Sequence, residues 1–158
     1  IAQCLVGSEM CIRDRYDKGL KCYSITVDLE MIGKDKNFNM EALPEEKAER
    51  VILLLNAIQN LSLVVKGNLD NAEPIFIVGG LSDRKTHYFE NVVHVKEDKL
   101  ELSEDLIQKK NQGFYAGLLK GQALLNEDEI EEKLQTIGVS EFFSKLGEDV
   151  KTYFDVMK

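Results

Sequence analysis

The chain is poor in several residue types that carry recognisable architectures. Among its 158 residues are 3 Cys, 2 Pro, no Trp and 2 His. So few cysteines, and an odd number of them, exclude a disulfide scaffold and suit a reducing compartment. Two prolines and 11 glycines exclude collagen-like, Pro-rich and linker-dominated chains. No run approaches the ~20 consecutive apolar residues a spanning helix needs. The expectation is a cytoplasmic protein with no membrane partner. Basic charge is short as well: 20 Lys and Arg stand against 28 Asp and Glu, a net charge of -8. Nucleic-acid binding through bulk charge is excluded, so any such binding rests on a local patch. What remains is a chain 44% hydrophobic and 30% charged, the composition of one globular domain or a large part of one.

The first fifteen residues do not read as protein. Residues 4–15 spell CLVGSEMCIRDR. This string resembles the in-frame translation of a transposase-type sequencing adaptor, and its flanking residues, Cys4 and Arg15, fit the adaptor's reading frame. A signal peptide or an N-terminal strand fits poorly, because the apolar run is short and Glu9, Arg13 and Asp14 break it. The expectation is that residues 1–15 are unfolded and adaptor-derived. Cys4 and Cys11 are then set aside, and Cys22 is the one native cysteine. Residues 16–158 are expected to be the C-terminal portion of a longer domain.

From there the hydrophobic pattern alternates between two periods. Tyr23, Ile25, Val27, Leu29 and Met31 point one way while Ser24, Thr26, Asp28 and Glu30 point the other, which predicts a half-buried strand over 23–31. Pro44 suits the first position of a helix, and Glu45 and Glu46 suit its positive end. Ala48, Val51, Ile52, Leu55, Ile58 and Leu61 then recur at helical spacing. That helix is expected to end near Lys66 and Gly67, with a loop over 68–73. The apolar run 74–78, PIFIV, reads as a central strand covered on both faces, stopped by Gly79 and Gly80. Segments 89–95 and 99–102 form a predicted hairpin turning at Glu97 and Asp98. Ser103 is a predicted cap for a short helix, and 114–119 a strand. Asn126 with Glu129 resembles a capping box for a helix closed by Gly138. Ser140 opens a last helix with Phe143, Leu146, Val150, Phe154 and Met157 as its apolar stripe. The order predicts an α+β domain.

Catalytic motifs are wanting. The chain has no H-E-x-x-H, no paired C-x-x-C, no G-x-S-x-G and no P-loop. Cys22 reads as a packing residue rather than a nucleophile. Asp28 and Glu30 share a strand face where two carboxylates could hold a metal, though a solvated face is the simpler reading. The expectation is no catalytic residue, no metal and no cofactor. The one segment with binding character is 79–87, GGLSDRKTH. It leaves a buried strand at a sheet end. Its glycines permit close backbone approach to a phosphate, and Arg84 and Lys85 supply charge. An ordinary polar connection is the competing reading.

The ordered set YSITVDLEMIG, EEKAERVILLLNAIQNL, PIFIVGGLSDRKTHYFENVV and VSEFFSKLGEDVKTYF resembles the C-terminal half of the DevR family. That family is the Cas-family-seven backbone subunit of type I CRISPR surveillance (Cascade) complexes. The resemblance implies a modified RNA-recognition-motif (ferredoxin-like) core, of which only the C-terminal part is present, with a hairpin insertion and C-terminal helices. It implies a non-catalytic role in antiviral defence. CRISPR RNA is the implied partner, bound by copies of the chain assembled head to tail, with other Cascade subunits alongside and target DNA reached through the guide. The expected RNA-binding residues are Gly79, Gly80, Arg84, Lys85 and His87. The alternative is a protein-interaction or scaffold domain that binds no nucleic acid. Where Arg50, Lys66, Arg84, Lys85, Lys109, Lys110 and Lys120 lie separates the two: clustering favours RNA, scatter favours the scaffold.

Overall fold

Backbone hydrogen bonding in a computed structural model, which describes residues 2–12, 15–65, 68–121 and 123–156, arranges the chain around one four-stranded sheet. The strands are β1 (Ala2–Ile12), β2 (Arg15–Thr26), β3 (Lys34–Asp35), β4 (Met40–Glu41), β5 (Ser62–Val65), β6 (Asn68–Asn71), β7 (Phe76–Gly80), β8 (Val95–Lys96), β9 (Lys99–Leu100) and β10 (Tyr115–Leu118). The helices are α1 (Pro44–Gln59), α2 (Glu104–Lys110), α3 (Glu127–Leu134) and α4 (Val139–Val156). The main sheet has the order β10-β7-β1-β2, with every neighbouring pair antiparallel. Three two-strand ribbons, β3-β4, β5-β6 and β8-β9, lie outside it. The described residues thus form a mixed α+β arrangement. No described helix is long and apolar enough to cross a membrane.

The backbone of β1, drawn from the adaptor-like stretch, pairs with β2 on one side and with β7 on the other, Leu5 opposite Tyr23 and Ile77.

β7 is the strand that organises the two cores. All five of its residues are buried, as expected of a central strand, but it runs over Phe76–Gly80 rather than 74–78. Gly79 and Gly80 do not stop it but pair within the sheet. Alternation along it sends Phe76 and Val78 into one cluster and Ile77 into the other. On the Ile77 side, Val51, Leu55 and Ile58 of α1 meet Phe142, Leu146, Val150 and Phe154 of α4. On the opposite side, Phe89, Leu100, Leu106, Phe114, Ile130 and Leu134, from the long connection between β7 and β10 and from α3, cover the sheet. Burying a Leu or Phe side chain of this kind is worth ~1.5–3 kcal/mol, so both layers contribute to the fold.

Several boundaries differ from the sequence reading, each for a local reason. The strand predicted over 23–31 ends at Thr26. Asp28 then accepts from the Glu30 N–H at 3.1 Å and turns Leu29–Met31 into a short 3-10 helix. Tyr23, Ile25, Val27 and Leu29 still pack on the α1/α4 core. Helix α1 begins at Pro44 as predicted, with the Glu46 carboxylate accepting from the Leu43 N–H at 3.3 Å. It stops at Gln59 rather than near Lys66 and Gly67, which lie outside the described residues. The β-branched Val64 and Val65 enter β5 instead, and β6 occupies the predicted loop. Cys22 is exposed, not a packing residue.

The hairpin turns where expected, with Glu97 and Asp98 at φ 52° and 58°, the paired positive angles of a type I′ turn. Its arms are only Val95–Lys96 and Lys99–Leu100 rather than 89–95 and 99–102, since 88–92 is itself turned. Ser103 caps α2, its hydroxyl accepting from the Leu106 N–H at 3.2 Å. Asn126 makes no side-chain cap to α3. Its amide grips Leu100 instead, accepting from the N–H at 3.0 Å and donating to the carbonyl at 2.9 Å. Leu134 ends α3, and Gln135, not Gly138, takes the left-handed cap position at φ 48°. α4 begins at Val139, which puts Ser140 inside it. Met157 lies outside the described residues.

Candidate nucleic-acid interface

The segment 79–87 includes the C-terminal end of the buried strand β7 and the loop after it, and its residues divide into two groups. Gly79 and Gly80 belong to the strand itself. Gly79 pairs with Tyr115 and Gln3, and Gly80 with Ala2. A Cβ on Gly80 would lie 3.1 Å from Phe114 Cδ1, so the glycine admits the aromatic ring above it. The exposed loop begins after these two residues.

Arg84, Lys85 and His87 are exposed and line a cleft of about 600 Å³ with Thr26, Asp28, Glu30 and Tyr153. Lys85 is committed within it. Its ammonium lies 2.5 Å from Glu30 Oε2 and 3.2 Å from Asp28 Oδ2. Hydrogen bonding to Glu30 and then Asp28 raises the lysine's pKa, and the bond from Lys85 holds the Asp28 carboxyl below its ordinary value. The two carboxylates that sequence reading sets on a solvated face are therefore the partners of Lys85. His87 Nδ1 lies 2.9 Å from Thr26 Oγ1. The loop is thus tied to the end of β2 at two points. Among the described residues no cluster of His, Cys, Asp and Glu is arranged to hold a metal.

Arg84 stands differently. Its backbone N–H donates to Ser82 Oγ at 3.1 Å, which shapes the turn. Its guanidinium lies over the Tyr88 ring, 5.8 Å from the centroid. It makes no ion pair among the described residues. Arg84 also lines a second cleft of about 490 Å³, shared with Thr86, His87, Tyr88, Asn91, Asp105, Gln108, Lys109 and Gln112.

Of the seven basic positions, six lie among the described residues, and three of these meet at the two clefts. Arg84, Lys85 and Lys109 converge on the two adjoining clefts. Lys110 follows Lys109, and burial lowers its pKa. Arg50 is on the exposed side of α1, and Lys120 pairs with Glu131 at 2.6 Å on another part of the surface. Lys66 lies outside the described residues. Sequence reading missed the role of Tyr88, because its neighbours Phe114, just before β10, and Lys109 of α2 are more than twenty residues away. Compared with known proteins, the chain matches no family model, no curated protein and no solved structure.

Proposed function

We propose that the chain is the C-terminal portion of a guide-RNA-binding backbone subunit, assembling head to tail along CRISPR RNA in a type I surveillance complex and doing no chemistry itself. The observation that carries this reading is the order of the four segments that resemble the DevR family, the first beginning at Tyr23 and the last ending at Phe154.

Two structural features support it. β2, α1 and β7 form a strand–helix–strand unit whose strands flank another, antiparallel strand. Such a unit resembles the half-repeat of a ferredoxin-like core, with β1 of the adaptor-like stretch standing where the middle strand would be. Arg84 and Lys109 also line one cleft whose only acid among the described residues is Asp105, despite the chain's acidic balance. Confining positive charge to one groove reconciles a net charge of -8 with an anionic partner.

The scaffold reading keeps one observation in its favour. Phe38, Met40, Leu43 and Leu53 are 65–76% exposed on the β3-β4 ribbon and α1, and apolar side chains in such positions suit protein contacts. Mixing the chain with single-stranded RNAs of increasing length separates the two. The backbone-subunit reading predicts complexes whose mass, read by sedimentation, rises in steps with RNA length. The same oligomers with and without RNA, or none, favour the scaffold.

A further inference from the structure

The two clefts that meet at Arg84 differ in charge, and that difference selects which one suits a phosphate. The larger cleft holds Asp28, Glu30 and Asp83 beside Arg84 and Lys85. Its lysine is already neutralised by two carboxylates. A phosphate entering there would face uncompensated acids, and like charges at close range repel. The smaller cleft has Arg84 and Lys109 as its cations and a single acid, Asp105, among its lining residues.

Tyr88 forms the floor of the smaller cleft and holds both cations in place. It is 9% exposed. Its ring stacks on Phe114 at 5.2 Å and 27° and meets Phe89 edge-on at 5.2 Å. Its hydroxyl donates to Gln112 Oε1. A ring fixed on three sides presents a stationary electron-rich face, to which cations are attracted. Lys109 Nζ lies 4.8 Å from the ring centroid and donates to the Tyr88 carbonyl at 2.8 Å. An ammonium has three donors, so two remain for a ligand. The Arg84 guanidinium has five donors in a planar fork and directs none to an acid among the described residues.

Resting on the RNA-binding reading, we propose that Arg84 and Lys109 form a two-cation seat for the phosphodiester backbone of a single RNA strand, set over Tyr88, and that Lys85 is not part of it. Lys85 is a positioning residue that fastens the loop to Asp28 and Glu30 so that Arg84 overhangs the Tyr88 ring. The polar walls, Thr86, Asn91, Gln108 and Gln112, can donate to phosphate and ribose oxygens without reading a base.

The test is the affinity of the whole chain for a fluorescently labelled single-stranded RNA, measured across a salt series. R84A/K109A is expected to lower affinity tenfold or more and to flatten the salt dependence by about 1.4, roughly 0.7 for each phosphate no longer neutralised. R84K/K109R, which keeps both charges, is expected to retain the wild-type slope. K85A is expected to keep that slope, since its charge is already offset, while lowering affinity a few-fold because the loop no longer holds Arg84 over the Tyr88 ring. R84A alone serves if removing the Lys109 bond to the Tyr88 carbonyl prevents folding. Wild-type binding that K85A flattens and R84A leaves unchanged overturns the assignment while sparing the RNA-binding reading. A wild-type chain that folds yet binds no RNA overturns both.

Discussion

Asp28 Oδ2 and Lys85 Nζ stand 3.2 Å apart, bridging the end of strand β2 and the loop after β7, residues far apart in sequence. Glu30 completes the clasp from the next turn. The pH window follows from the shifts. The folded Asp28 carboxyl lies below its ordinary 3.8, so its contribution is present above that value and is lost as pH falls through the lower folded one. The folded Lys85 ammonium lies above its ordinary 10.5, so its contribution is complete below that value and is lost as pH rises through the higher folded one. The clasp is therefore intact throughout the neutral range. Because all three groups are exposed, D28N/E30Q is expected to shift the melting temperature little. It is expected to broaden or shift the backbone amide resonances of residues 82–87 while leaving those of α4 in place. Unchanged loop resonances would contradict the clasp.

Gly117 of β10 faces the α4 side of the sheet. A Cβ there would lie 2.8 Å from Ile77 Cγ2 and 3.1 Å from Phe142 Cβ. Sheet and helix can both yield only by moving packed side chains, so G117A is expected to cost about 1–3 kcal/mol in chemical denaturation. At Gly121 a Cβ meets nothing within 4 Å, and G121A is expected to stay within ~0.5 kcal/mol of wild type. Equal effects at the two positions would contradict the packing described.

The Tyr23 hydroxyl is buried without a hydrogen-bond partner among the described residues, and burial raises its pKa. An unsatisfied buried hydroxyl costs about 1–3 kcal/mol. Y23F removes that cost and keeps the ring, so it is expected to stabilise the protein by ~1 kcal/mol in urea unfolding. A destabilisation of similar size would mean that the hydroxyl has a partner.

If residues 1–15 are adaptor-derived, the fold was never selected to depend on them, although the backbone of Ala2–Ile12 pairs with β2 and β7. A chain beginning at Tyr16 is then expected to melt cooperatively within a few degrees of the whole chain by circular dichroism. Disappearance of the cooperative transition would assign β1 to the fold.

Local patterns were legible where side-chain period alone decides structure. The unalternating PIFIV run, the apolar stripe of α1 and the turn at Glu97 and Asp98 each depend on near neighbours. Element ends were less legible, because the competing signals are tertiary. The alternation through Met31 persists in the sequence, yet Asp28 captures the Glu30 N–H and ends the strand. Asn126 has the spacing of a capping residue, but the edge of the β8-β9 hairpin offers its amide two backbone partners at Leu100. The loop 79–87 could be singled out from its glycines and charges. Which of its cations is held by acids could not, since the partners of Lys85 lie more than fifty residues earlier. Tyr88 carries no motif, and its position between Phe114 and two cations exists only after α2 and β10 are in place.

The central claim is that this acidic chain binds RNA through a confined basic site. The most direct measurement is the equilibrium affinity of the folded 158-residue chain for single-stranded RNAs of unrelated sequence as salt is raised. The account predicts similar affinities for all of them and a linear fall of log K with log salt, with a slope of about -1.4 or steeper from two neutralised phosphates. Binding to none of the RNAs at low salt, by a chain that melts cooperatively, would contradict it.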